Sequence, residues 1–424
     1  MVRSLSTFLL GLAVSLPASA VDPALLAFDK LPVQAAWPDP LTMFDGTKIM
    51  TWDDWNAKRK PELKQLFQEL MYGRYPIVET KPTAAIVHED TEAFGGKGTL
   101  REVALTLAPG LPPVHWLIVL PNGVKTAPVF IGLNFYGNHC LTTDERIRIP
   151  AGWMYPKAPG EANGKATAAG RGKDAGAWPI EVILARGYGL AVAYNGDILP
   201  DNDKIRGGLA DLLMPPVPGQ ADPVATATVM AWAWGIHRGI DYLTTLPNVD
   251  AKRIAVVGHS RLGKAAITAG AFDDRIALVV ANQAGCGGTA PDRRTNPKSE
   301  PVARINAAFP HWFNGNFKRF NEATDKLPFD QHALTALCAP RPVLFTNAED
   351  DVWADPPGQL RVLQAAAPVY ALAGKADAAP SEAVAPMNKL LGKELGYWIR
   401  QGKHAMTAAD WQTYLDFADK HAKH

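Results

Sequence analysis

Cysteine is nearly missing from these 424 residues: Cys140, Cys286 and Cys338 are the whole supply, and an odd count leaves at least one free thiol. That excludes a disulfide-stapled scaffold. Cys-x-x-Cys, His-Glu-x-x-His and clustered histidines are absent as well, so no metal and no cofactor is expected. Neither sign of charge is in excess, with 43 Lys+Arg against 42 Asp+Glu, whereas a nucleic-acid partner would demand a basic stripe. No apolar run is long enough to span a bilayer, so no membrane partner is expected either. Nothing fixes an oligomeric state, and a monomer is the default. What the chain does have is apolar residues, 47 % of it, ample for a large buried core.

The first twenty residues read as a targeting segment. Arg3 gives a positive start, residues 8–16 form a short apolar stretch, and Ala18-Ser19-Ala20 fits a signal-peptidase site. The expectation is an exported protein, periplasmic or secreted, whose mature chain starts near Val21 and forms a single catalytic domain over 21–424.

Thr51 opens a helix-like run over 52–71, with Trp55, Leu63, Leu66, Phe67 and Leu70 as buried positions. Pro61 is expected to split that run, sitting in the first turn of a second helix. Strands are expected at 100–107, 114–120, 129–135, 190–194, 254–257, 276–280, 342–345 and 395–399. Residues 157–176, rich in Gly, Ala and Lys, read as a long surface insertion, and residues 224–246 as a helix apolar on most faces. Helical stretches separate most strands, and the middle strands are continuous apolar runs. That pattern predicts an α/β fold, a mostly parallel central sheet with helices on both faces in three layers. Thr407-Ala408-Ala409-Asp410 should cap a terminal helix.

One stretch carries the chemistry. Ile254 to Val257 drives into Gly258-His259-Ser260-Arg261-Leu262-Gly263-Lys264, a strand, a sharp turn and a helix start, which is how a nucleophile elbow reads. The usual second glycine is displaced by one place, Leu262 standing before Gly263. In an α/β-hydrolase the nucleophile is followed by an acid and then a histidine. Glu349, Asp350, Asp351 and Asp355 crowd the end of the strand at 342–345, and His404 lies in the loop after the last strand. Ser260 would be the nucleophile and His404 the base, held by a carboxylate. His259 reads as structural or substrate-facing, and residues 132–139 as the oxyanion-hole loop.

At this point the chain resembles a family. The elbow is similar to the Gly-x-Ser-Arg-x-Gly-Lys signature of the glucuronoyl esterases, carbohydrate esterase family 15. Asn134-Phe135-Tyr136-Gly137-Asn138-His139, Trp232-Ala233-Trp234-Gly235, Pro310-His311-Trp312-Phe313, Trp353-Ala354-Asp355-Pro356 and Gly402-Lys403-His404-Ala405 resemble its bacterial branch. The resemblance implies an α/β-hydrolase fold with long loop insertions around the site. It implies Arg261 as an oxyanion stabiliser, Lys264 and Glu300 as ligands of the glucuronate, and Trp353 against the sugar ring. Many family members carry the triad acid as a Glu before a Gly-rich turn, where this chain has Gln283-Ala284-Gly285-Cys286-Gly287-Gly288. An amide cannot hold that charge, so Asp351 is the expected acid, with Asp350 and Asp355 behind it. The expected function is a serine carboxylesterase cleaving (4-O-methyl-)glucuronoyl esters between lignin alcohols and glucuronoxylan. The alternatives are an acetyl-xylan or feruloyl esterase on the same fold, or a weakened carbohydrate-binding relative.

Overall fold

The apolar runs pair edge to edge into one sheet. The computed structural model describes residues 21–205, 209–213 and 222–422, so the expected leader at 1–20 lies outside the described residues. The strands are β1 (Thr83–Glu92), β2 (Gly98–Thr106), β3 (Val114–Pro121), β4 (Ala127–Asn134), β5 (Gly189–Tyr194), β6 (Val249–His259), β7 (Leu278–Asn282), β8 (Val343–Ala348) and β9 (Leu395–Arg400). They lie in the order β1-β2-β3-β5-β4-β6-β7-β8-β9. Pairing is antiparallel from β1 to β5 and parallel from β5 through β9.

Side chains that alternate along each strand feed two separate cores. On β4, Val129, Ile131 and Leu133 enter one core and Phe130 the other, and on β6 Ile254 and Val256 face away from Ala255 and Val257. A strand buried on both faces reads as an unbroken apolar run because both of its periods are filled. Helices α3 (Thr228–Leu243), α4 (Arg261–Phe272) and α5 (Pro356–Leu372) cover the first face, bringing Trp232, Ile267 and Leu363. Helices α2 (Ile180–Ala185) and α6 (Ala408–Ala422) cover the second, with Ile183, Trp411 and Tyr414. The three expected layers are present. Thr407 and Asp410 cap α6 reciprocally, Thr407 N–H donating to Asp410 Oδ2 at 2.7 Å and Asp410 N–H to Thr407 Oγ1 at 3.4 Å.

At four places the structure adds to that reading or refines it. Residues 52–72 stay helical past Pro61, which lies in the first turn of α1 (Lys60–Phe67). The turn before it, Trp55–Arg59, is a wider π-turn, and such turns absorb the ring and the missing N–H of a proline. β1 had no signal, because a mostly exposed edge strand whose second half is His88-Glu89-Asp90-Thr91-Glu92 shows no alternation. β7 ends at Asn282, two residues beyond the apolar run, because Asn282 still pairs with His259. The stretch 157–176 is bonded down rather than loose, with Gly172 N–H on His139 O at 3.1 Å and Asp174 N–H on Cys140 O at 2.9 Å. Its glycines serve close approach: a Cβ on Gly160 would stand 2.2 Å from the nitrogen of Gly170.

Candidate active site

β6 ends at the elbow, where Ser260 takes φ 56° and ψ −127°, a strained conformation for a residue with a Cβ. Its N–H bonds Asn282 O on the next strand at 2.8 Å, which fixes the turn. A Cβ on Gly258 would meet Leu262 O at 2.1 Å, and one on Gly263 would meet Ala284 Cβ at 3.0 Å. The displaced glycine therefore still lets α4 lie close to the β7 turn. Gly258→Ala is expected to destabilise the fold by about 2–3 kcal/mol through overpacking against backbone. A urea midpoint indistinguishable from wild type would contradict this. At the start of α4 the N–H groups of the first turn have no intrahelical partner.

His404, four residues beyond β9, bonds through Nδ1 to Asp351 Oδ2 at 2.6 Å. The Asp351 side chain is 7 % exposed and that of His404 is 43 % exposed. An ionised carboxylate only accepts, so Nδ1 carries the proton and Nε2 is left with its lone pair. Among the other acids of that loop, Glu349 and Asp350 are exposed, while Asp355 is buried and caps α5 by accepting from Gly358 N–H at 3.2 Å. His259 stands with its ring 4.5 Å from that of His404 and bonds Asn282 Oδ1 at 3.1 Å. Burial first, and then the neighbouring His404, push its pKa down to about 3, so it stays neutral.

Gln283 explains itself through the backbone. It follows β7 at φ 49°, and its side chain is buried. The amide accepts from Ala405 N–H at 3.0 Å and donates to Ala405 O at 3.1 Å. Arg400 also donates to Ala405 O at 2.8 Å and pairs with Asp410 at 3.1 Å. The histidine loop is thus gripped one residue past His404, by a side chain that must both donate and accept a hydrogen bond.

Arg261 lies in an aromatic box, its guanidinium 4.9 Å from Trp312 and 5.3 Å from Phe309 and from Tyr155. Asp201 holds one end of it at 2.5 Å, and accepts on its other oxygen from His311 at 2.8 Å and Trp312 at 2.7 Å. Burial alone would raise the Asp201 carboxyl, but the His311 bond, the Arg261 charge and the Trp312 bond outweigh it and hold it below its usual range. Nε of Arg261 is buried without a partner. Asp201 was not among the sequence candidates; in a Pro-Asp-Asn-Asp turn nothing separates it from a solvated acid.

Ser260, Arg261 and His404 line one cleft of about 350 Å³, together with Phe135, Tyr155 and Asp201. Lys264, Glu300 and Trp353 do not line it. They gather on the β7–β8 side instead. Lys264 is buried and donates to Ala284 O and Cys286 O, both at 2.5 Å. Burial raises the Glu300 carboxyl, and Lys264 and a bond from Trp353 oppose that rise. Trp353 itself is 47 % exposed.

A mostly parallel sheet with a serine on a strained strand-to-helix turn, and a histidine–carboxylate pair at later strand ends, defines an α/β-hydrolase. Comparison with known proteins narrows the class. Residues 222–374 match the family described as glucuronyl esterase of fungi. A carbohydrate esterase (MZ0003) from an unknown prokaryotic organism is 42 % identical over 91 % of this chain and 89 % of its own length. The glucuronoyl esterase of Solibacter usitatus is 35 % identical, with a TM-score of 0.84 over 93 % of this chain and 99 % of that one. The 4-O-methyl-glucuronoyl methylesterase 1 of Wolfiporia cocos is 29 % identical over 80 % of this chain and 72 % of its own length. The chain belongs to the glucuronoyl esterase family, carbohydrate esterase family 15, and is an ester-hydrolysing enzyme.

Proposed function

We propose that this enzyme, one catalytic domain over 21–424, is exported to the periplasm or beyond and cleaves (4-O-methyl-)glucuronoyl esters that link lignin alcohols to glucuronoxylan. The observation that carries the reading is the Asp351–His404 bond of 2.6 Å opening on the same cleft as Ser260 and Arg261. Ser260 Oγ attacks the ester carbonyl while His404 Nε2 takes its proton. Negative charge then collects on the carbonyl oxygen, beside the unpartnered Nε of Arg261 and the free N–H groups of the α4 start. His404 returns the proton to the departing alcohol, which leaves a glucuronoyl-serine. Water attacks that ester with His404 again as base, restoring Ser260 and releasing glucuronate.

Glu300 and Trp353 are assigned to a hydroxyl and a face of the sugar. Lys264, held by two carbonyls, acts through Glu300, whose charge it balances. The test is hydrolysis of benzyl glucuronate and methyl glucuronate set against acetyl xylan. Cleavage of acetyl xylan alone would transfer the enzyme to the acetyl-esterase reading and leave the fold untouched.

Gln283 is assigned a positioning role. Gln283→Glu keeps an acceptor for Ala405 N–H but sets a carboxylate against Ala405 O, so the loop behind His404 shifts. A buried mismatch of this kind costs about 1–3 kcal/mol, and kcat is expected to fall about tenfold with KM little changed. A sharp rise in kcat instead would mean that an acid at 283 completes the site and that Asp351 does not.

A further inference from the structure

The helical run over 52–72 packs on the hydrolase core, and its last residue reaches further. Tyr72 is buried, and its hydroxyl donates to Gly287 O at 3.1 Å, 215 residues along the chain. The N–H of Gly287 donates in turn to Asp292 Oδ1 at 3.2 Å. Both backbone polar groups of one glycine are therefore held by side chains. That glycine belongs to the turn that encloses Lys264. The ammonium donates to Ala284 O and Cys286 O, both at 2.5 Å, and a Cβ on Gly288 would stand 2.8 Å from Lys264 Cγ. The N–H groups of Gly288, Thr289 and Ala290 converge on Gly285 O at 3.1, 2.9 and 3.0 Å, which closes the turn. Gly285 and Gly287 take φ of 60° and 65°. Glycine has the most backbone freedom to lose, so a turn this rich in it keeps one shape only if something outside holds it.

The acid on this turn is an expensive one. Asp292 and Asp330 are both buried and act on each other. Asp330 accepts from the N–H groups of Asp292 at 2.8 Å, Arg293 at 3.0 Å and Gln331 at 2.8 Å, and pairs with the Arg293 guanidinium at 3.4 Å. The donors to Asp292 are neutral: Gly287 N–H, the Gln331 amide at 2.8 Å and the Cys286 thiol at 3.9 Å. Burial first, and then the Asp330 carboxyl, push the Asp292 pKa up to about 7. Keeping a second carboxyl beside a buried first one costs stability, and such acids gather where a site needs them. Asp292 also lies close enough to act on the cation in the turn. Burial pulls the Lys264 pKa down, and Glu300 foremost, with Asp292 behind it, opposes the fall.

We propose that Tyr72 and Asp292 are positioning residues of the sugar subsite, which clamp Gly287 and so fix the carbonyl cage that sets where Lys264 stands. The N-terminal helical run is then part of the substrate-binding machinery, through Tyr72. The proposal rests on the glucuronate reading of Lys264 and Glu300. The experiment measures kcat and KM of the purified full chain on benzyl glucuronate. Tyr72→Phe removes one hydroxyl and is expected to raise KM about fivefold with kcat within about twofold, the size of one lost hydrogen bond. Asp292→Ala leaves Gly287 N–H and the Gln331 amide unpaired and should raise KM about twentyfold. Asp292→Asn restores an acceptor for Gly287 N–H, and Gln331 can turn its amide to meet the new donor. Its KM should return to within about threefold of wild type. An unchanged KM in Tyr72→Phe would overturn the clamp, even where Asp292→Ala fails to fold. A fall in kcat with KM unmoved would overturn it too, since loss of folded protein alone gives that result. Asp292→Asn as damaging as Asp292→Ala would do the same. No turnover of benzyl glucuronate by wild type, with acetyl xylan cleaved, would overturn the glucuronate reading itself, and the clamp with it.

Discussion

Ser260→Ala protein is expected to fold as wild type does and to lose about 10⁶-fold in kcat, close to 8 kcal/mol of transition-state stabilisation. The fold survives because the bond that fixes the elbow is made by the backbone, Ser260 N–H to Asn282 O at 2.8 Å, and alanine keeps it. Alanine also bears the same strain at φ 56° as serine, since both carry a Cβ. Only Oγ disappears, and with it the covalent route. The measurement is single-turnover hydrolysis of methyl glucuronate beside a thermal melt. More than about 1 % residual activity at unchanged melting temperature would remove Ser260 from the mechanism.

Asp351→Asn is expected to cost about 10³–10⁴-fold in kcat with little change in KM. Two effects act together. The amide takes away the charge that steadies the imidazolium. Its NH₂ group can also face Nδ1, drawing the proton to Nε2, where a lone pair is needed to receive the serine proton. Asp350→Asn is the matched control: Asp350 is exposed and the carboxylate bonded to His404 is that of Asp351, so its loss should stay within twofold. Full activity in Asp351→Asn combined with a sharp gain in Gln283→Glu would be the result that defeats the assignment of the acid.

Much of this architecture was legible in the sequence, and for a physical reason. Strands buried on both faces must be apolar throughout, so β4, β5, β6, β8 and β9 announce themselves within a few residues of their ends. The elbow is legible because strain and crowding at Ser260 restrict what can stand at Gly258 and Gly263. β1 was not legible, since an edge strand open to solvent has no face to fill. The aspartates after β8 were legible as a cluster, but choosing among them required a distance, and only Asp351 lies 2.6 Å from His404. Asp201 escaped because its partner is remote in sequence: Arg261 is 60 residues away. Gln283 was visible as a departure, yet its purpose lay in the Ala405 backbone 122 residues away. Lys264 was legible as a cation at the elbow, but not as one sequestered by the carbonyls of Ala284 and Cys286.

The groups that would carry the chemistry each hang from the end of a different strand, Ser260 after β6, Asp351 after β8 and His404 after β9. They meet only because β7 lies between β6 and β8 and keeps their ends in step. No contiguous segment of the chain contains both the elbow and its histidine without β7, β8 and β9. Trimming this protein toward a minimal esterase is therefore limited at its C-terminal end by α6, whose cap residue Asp410 holds Arg400 and through it the loop of His404. Size can be removed from the antiparallel β1–β3 flank with less consequence for the histidine. A designer looking for a smaller catalyst should cut there.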